Sequence, residues 1–203
     1  MSEILIQIVE AALLSAVQRS GSFLVCRPGC SQCCHGVFEI SPLDADRLRE
    51  GLLSLEAEDH LRAARIRTRV TAARTHLQPW FPGDSSTGVL SSRDEEVELF
   101  EEFASEDACP ILDPETQTCD LYGARPILCR TFGPPIRNEA ADEEGGLATC
   151  ELCFNGASAQ EIAACEMDSS FRTLEESLEG SYTAQNSAMG QTIIAFAFPL
   201  EAS

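Results

Sequence analysis

Cys26-Arg27-Pro28-Gly29-Cys30-Ser31-Gln32-Cys33-Cys34-His35 places four thiols within nine residues. A tight Cys-x-x-Cys turn directs two sulfurs at one centre and turns backbone N–H groups toward them. Those N–H groups lower the thiol pKa and stabilise the thiolates that bind metal. Gly29 permits the unusual backbone angle such a turn needs. Adjacent Cys33 and Cys34 point in different directions in most conformations, so both serve only where two centres, or one polynuclear cluster, lie nearby. The spacing speaks for metal without saying which one.

Further along, the chain from Glu106 to Phe154 holds five prolines, a Gly-Gly pair and the acidic run Glu139 to Glu144, with little regular periodicity. Five of the ten cysteines fall there. A stretch this irregular does not hold its shape by secondary structure alone and needs something to tie it down. Cys109-Pro110-Ile111-Leu112 is followed by Asp113-Pro114-Glu115-Thr116, a turn that joins two short extended pieces and brings Cys109 toward Cys119. Cys129 follows in Arg125-Pro126-Ile127-Leu128-Cys129-Arg130-Thr131-Phe132, and Cys150-Glu151-Leu152-Cys153 repeats the knuckle spacing. Cys165, among Ile162, Ala163 and Ala164, reads as a small buried hydrophobe.

Around these motifs the sequence is helical. Ile4, Leu5, Ile8, Val9, Ala12 and Leu13 recur at helical spacing, and Gly21 ends that segment. Ser41-Pro42-Leu43-Asp44 is a helix start, with Ser41 as cap, Pro42 in the first turn and Asp44 at the positive end. The following run to about Leu77 is one long helix or two broken near Asp59 and His60, stopped by Pro79 and Pro82. Residues 83–92 are expected as a loop and 94–104 as a short acidic helix. The capping box Ser158-Ala159-Gln160-Glu161 opens a helix to about Glu179, ended by Gly180. The apolar run Ile193 to Leu200 is a strand or a helix packed on the core. The expected fold is mainly α, a single domain over residues 1–203, with helices around an irregular, cysteine-rich centre organised by metal.

Fourteen Lys and Arg against thirty-three Asp and Glu leave a formal charge of −19 in 203 residues. That balance argues against nucleic acid or an anionic membrane surface as partner, since both need a cationic face. Glu3 and Glu10 interrupt the apolar N-terminal stretch and no basic residue precedes it, so it does not read as a secretory signal. The expected location is therefore the cytoplasm, where thiols stay reduced and clustered cysteines hold metal more often than disulfides.

The ordered set C-x-x-x-C-x-x-C-C, C-P-x-L, C-x-x-Y-x-x-R-P-x-x-C-R-x-F and a later cysteine resembles the bacterial CxxCxxCC family of zinc- or iron-chelating domains. Residues 26–154 carry the pattern. The resemblance implies a zinc, iron or iron–sulfur cofactor held by Cys26, Cys30, Cys33, Cys34, Cys109, Cys119 and Cys129, with Cys150 or Cys153 as the later ligand. Tyr122, Arg125, Pro126, Arg130 and Phe132 match its non-cysteine signature. A relative, the flagellin lysine-N-methylase, has a similar cysteine region in a much longer chain. No methyl-donor glycine motif, P-loop, HExxH or serine nucleophile motif is present here, and no catalytic residue is assigned.

Four thiolates around Zn²⁺, or around a [4Fe–4S]²⁺ cluster, leave a net charge of −2 that a protein interior must compensate. Arg125 and Arg130 flank Cys129, and they either hydrogen-bond the ligating sulfurs or pair with surface carboxylates. Tyr122 and Phe132 are expected as core aromatics. The sequence thus predicts a metal-binding module with a structural, sensing or redox role and no identified protein partner. Two other readings stand beside it, an enzyme of methylase-like or redox type and a zinc-stapled acidic adaptor.

Overall fold

In the computed structural model, residues 2–93, 100, 103–137, 146–186 and 190–199 are described. They fall into two compact units. The first comprises Met1–Arg27 with Ile127–Ser181, and the second Pro28–Pro126 with Tyr182–Ser203. Helix is the prevailing element, as the composition and caps predict.

The second unit is built on two helices, Pro42–Glu58 and His60–Leu77. Ser41 Oγ accepts the Asp44 N–H at 3.2 Å and caps the first of them. Asp59 serves both helices. Its N–H donates to the Leu55 carbonyl at 2.7 Å, and its Oδ1 accepts the Arg62 N–H at 3.0 Å. Ala45, Leu48 and Leu52 then pack with Ala63, Ile66 and Val70, and Ile111, Leu121, Ile194, Ala197 and Phe198 close that core. A second cluster gathers Leu77, Phe81, Ile193, Ala195 and Phe196, with the Phe81 and Phe196 rings stacked at 4.3 Å.

Two-residue antiparallel ladders pin the loops of this unit. Glu39–Ile40 pairs with Thr192–Ile193, and Leu112–Asp113 pairs with Thr118–Cys119. The expected loop after Pro82 contains a third ladder, Gly83–Asp84 with Val89–Leu90, closed by Ser86 donating to Asp84 Oδ1. The acidic helix expected over 94–104 lies mostly outside the described residues. Its Phe100 and Phe103 pack beside Phe81. The tail forms the strand Thr192–Ile193 and the 3₁₀ turn Ile194–Phe196, while Leu200 lies outside the described residues.

In the first unit, the N-terminal helix Ser2–Ser20 runs into the 3₁₀ turn Gly21–Phe23. By length and composition Glu3–Phe23, with mean hydropathy 1.2, is long and apolar enough to cross a membrane. Here Leu5, Val9 and Ala16 are fully buried against Ile127, Met167 and Phe171. The unit adds a short helix, Ile127–Thr131, and the ladder Ile136–Arg137 with Leu147–Ala148. The acidic run Glu139 to Glu144 is outside the described residues.

The single helix expected from Ser158 to Glu179 is two helices, Ala159–Ala164 and Arg172–Gln185. The capping box at Ser158 and Glu161 is present. The break has a long-range cause. The Met167 N–H donates to the Pro135 carbonyl at 2.7 Å, and a continuing helix would take that donor for itself. Gly180 does not end the later helix, which continues to Gln185.

Candidate metal centre

Backbone pairing sets the second unit's thiols side by side. His35 and Ala108 form an isolated antiparallel bridge, flanked by Cys109 N–H to the Cys34 carbonyl at 2.7 Å and Gly36 N–H to the Asp107 carbonyl at 2.9 Å. This places the Cys33-Cys34 pair against the start of the Cys109-Pro110-Ile111-Leu112 turn. The Leu112↔Cys119 register then returns Cys119 toward Cys109, as the turn at Asp113 to Thr116 predicts. Gly29, at φ +89°, adopts the left-handed conformation expected of it. Beyond it, Ser31 Oγ donates to Gln117 Oε1 at 2.6 Å, fastening the loop that carries Cys30 to the hairpin between Cys109 and Cys119.

The thiols act on one another. A hydrogen bond from the Cys34 thiol brings Cys33 down to about 6, against burial and with help from its own N–H and the Arg125 charge. That same bond holds Cys34 up, reinforced by burial and by charge on Cys33, Cys109 and Cys119. Burial pushes Cys109 up to about 12, while the N–H groups of Ile111 and Leu112 oppose it. Burial also raises Cys119, opposed by the Leu121 N–H, Arg125 and Arg62 and reinforced by Asp120. Backbone N–H groups thus support the sulfurs of Cys109 and Cys119, while in the first cysteine run, where the sequence predicts them, Cys33 has its own N–H.

Three supporting residues escaped the sequence reading. The Asp120 carboxylate is 2% exposed and takes Arg62 Nε on one oxygen and Arg69 Nη2 on the other. Arg69 Nε also donates to the Pro110 carbonyl at 2.9 Å. One helix, His60–Leu77, therefore holds both the residue after Cys119 and the residue after Cys109. The available signal was the spacing of Arg62 and Arg69, seven apart and so on one helical face, opposite an acid directly following a cysteine.

Arg125 lies within charge reach of Cys33 and Cys119, and its guanidinium sits 3.9 Å from the Tyr122 ring centroid. The two signature aromatics are not core residues: Tyr122 is 61% and Phe132 41% exposed. Tyr122 instead supplies the face on which Arg125 rests.

The other cysteines belong to the first unit. Cys26 is exposed; Cys129 rides on the helix Ile127–Thr131; Cys150 and Cys153 form a turn closed by Cys153 N–H to the Cys150 carbonyl at 2.9 Å. Arg130 is 1% exposed and its Nη1 donates to Glu10 Oε1 at 2.6 Å. Cys165 is buried, as expected, but caps the helix Ala159–Ala164 instead of lying within it, and its thiol contacts the Arg19 carbonyl at 3.3 Å.

Among the described residues, no three His, Cys, Asp or Glu side chains stand arranged around one point as a ready metal site. The fit to zinc or iron lies in the donor chemistry: soft sulfurs gathered from separate segments, amide N–H groups turned toward two of them, and a guanidinium beside two. These are the features of a thiolate-rich metal-binding domain on a mainly helical frame. Residues 25–154, more than half of the chain, match the model of the CxxCxxCC family, described as a "putative zinc- or iron-chelating domain", and the chain belongs to that family. No curated protein and no solved structure matches it.

Proposed function

We propose that this chain is a cytoplasmic metal-binding protein that holds zinc or an iron–sulfur cluster through clustered cysteines, in a structural, sensing or redox role. The observation that carries the reading is the gathering of Cys33, Cys34, Cys109 and Cys119 by the His35–Ala108 bridge and the Leu112–Cys119 hairpin. These four thiols would hold the metal, and a bound ion or cluster would supply the positive charge that lets them coexist as thiolates. Ile111, Leu112 and Leu121 would support the sulfurs through their N–H groups. Arg125 would offset the residual negative charge, and Asp120, gripped by Arg62 and Arg69, would keep the two cysteine-bearing turns in place.

Elemental analysis and the visible spectrum of anaerobically purified protein test the reading. Iron with sulfide and broad visible absorption identifies a cluster, and colourless protein with stoichiometric zinc identifies a zinc site. Protein that carries neither metal, and takes up neither on reconstitution, overturns the proposal.

A further inference from the structure

Nine cysteines of the metal-binding motifs are more than one four-thiolate centre uses. The chain passes from the first unit to the second between Arg27 and Pro28, which separates Cys26 from Cys30, Cys33 and Cys34. It passes back between Pro126 and Ile127, which separates Cys109 and Cys119 from Cys129, Cys150 and Cys153. One continuous motif in the sequence is therefore shared between two folding units.

Within the first unit, three segments meet around Leu24. The Phe154 N–H donates to the Phe23 carbonyl at 2.9 Å, and the two rings stack at 5.7 Å. This fixes the turn that carries Cys150 and Cys153 beside the extended segment that leads to Cys26, and Leu24 packs against the apolar cluster that includes both of those cysteines. Gly133 completes the junction. A Cβ there would stand 3.0 Å from the Cys26 sulfur and 3.2 Å from Leu24 Cδ1, so the missing side chain is the space the thiol occupies. Gly133 lies two residues beyond the end of the short helix that carries Cys129, and four residues after that cysteine.

Resting on the reading of these cysteines as metal ligands, we infer that the chain holds two metal centres, each completed inside one unit. Cys33, Cys34, Cys109 and Cys119 form the one; Cys26, Cys129, Cys150 and Cys153 form the other. Each is a four-thiolate set suited to one zinc ion or one cubane cluster; Cys33 and Cys34, expected from the sequence to point apart, share a thiol hydrogen bond and so can face one centre. Cys30 and Cys165 are outside both sets, the latter because its thiol is engaged with the Arg19 carbonyl.

Cobalt(II) titration of the reduced, metal-free full chain counts the centres, since tetrahedral thiolate cobalt absorbs in the visible. Saturation at two equivalents is expected. The paired substitutions Cys109→Ser with Cys119→Ser, and Cys150→Ser with Cys153→Ser, should each saturate at one. Saturation of the wild type at one equivalent overturns the inference while leaving the metal reading intact, and absence of any thiolate–cobalt band overturns both. Because a paired variant can fail to fold, the ligand division is also read on wild-type protein by alkylation and mass mapping. In the loaded protein Cys30 should label and the eight assigned ligands should be protected until chelator is added. Protection of Cys30 together with labelling of any assigned ligand overturns the division.

Discussion

Asp120 shows how much the placing of two cysteines depends on residues other than cysteine. Its carboxylate is withdrawn from water and shared by Arg62 and Arg69, each still partly exposed. Asp120→Asn keeps the shape and removes the charge that both guanidinium groups answer. We expect a loss of about 2 kcal/mol in urea unfolding, below the range for fully buried pairs because the arginines retain water. Metal retention under chelator competition should fall in the same variant, since the turns bearing Cys109 and Cys119 lose a common anchor. Arg125→Lys separates planarity from charge: lysine keeps the cation but neither spreads over Tyr122 nor presents a planar donor fork. Its expected effect is roughly tenfold weaker metal retention with little change in the urea midpoint. Equal retention by the lysine variant would assign Arg125 to the Tyr122 surface alone. Cys165→Ala, by contrast, should leave the metal content of the purified protein unchanged.

At the scale of elements, the caps were readable and the long-range bonds were not. Ser41 and Pro42 announce the first helix and Asp59 marks the place where the run can break in two, because Ser41 and Asp59 each accept a free helix-end N–H and Pro42 has none to satisfy, local events that a local sequence encodes. Asp59→Ala should cost about 1 kcal/mol in urea unfolding, while Asp59→Asn, which keeps the acceptor, should stay close to wild type. The break at Cys165 is different. It depends on the Met167 N–H finding the Pro135 carbonyl, more than thirty residues away, and nothing in the periodicity of Ile162 to Glu179 reports that partner. The candidate site divides in the same way. The turn that returns Cys119 toward Cys109 is written in Asp113 to Thr116. The bridge between His35 and Ala108, which joins the first cysteine run to the second, has no local signature.

For the molecule as a whole, the cysteine-bearing loops are tied by ladders only two residues long and by a few side-chain anchors. Structural zinc contributes on the order of 10 kcal/mol in small domains, enough to decide whether such loops hold a single conformation. Strong chelation at neutral pH should therefore abolish the sharp thermal transition, while far-ultraviolet circular dichroism retains much of its helical signal from the separately packed apolar clusters. A chelated protein that melts as sharply as before would show that those clusters order the loops unaided.

The order in which the chain is synthesised gives the late position of its core residues a further meaning. Leu5 and Val9 wait for Ile127, Met167 and Phe171, and Leu48 and Ile66 wait for Ile194 and Phe198. The bonds that seal these clusters span long intervals, 120 residues from Glu10 to Arg130 and 148 from Arg49 to Ala197. A nascent chain leaving the ribosome therefore carries all of its motif cysteines before either apolar cluster can be completed. Contacts this distant close slowly, and apolar surface left open meanwhile invites aggregation. During that interval the thiols are open to oxidants and to any available metal, so on the reading proposed above the ion taken up would reflect the cell's metal supply at the moment of synthesis as well as the affinity of the finished fold.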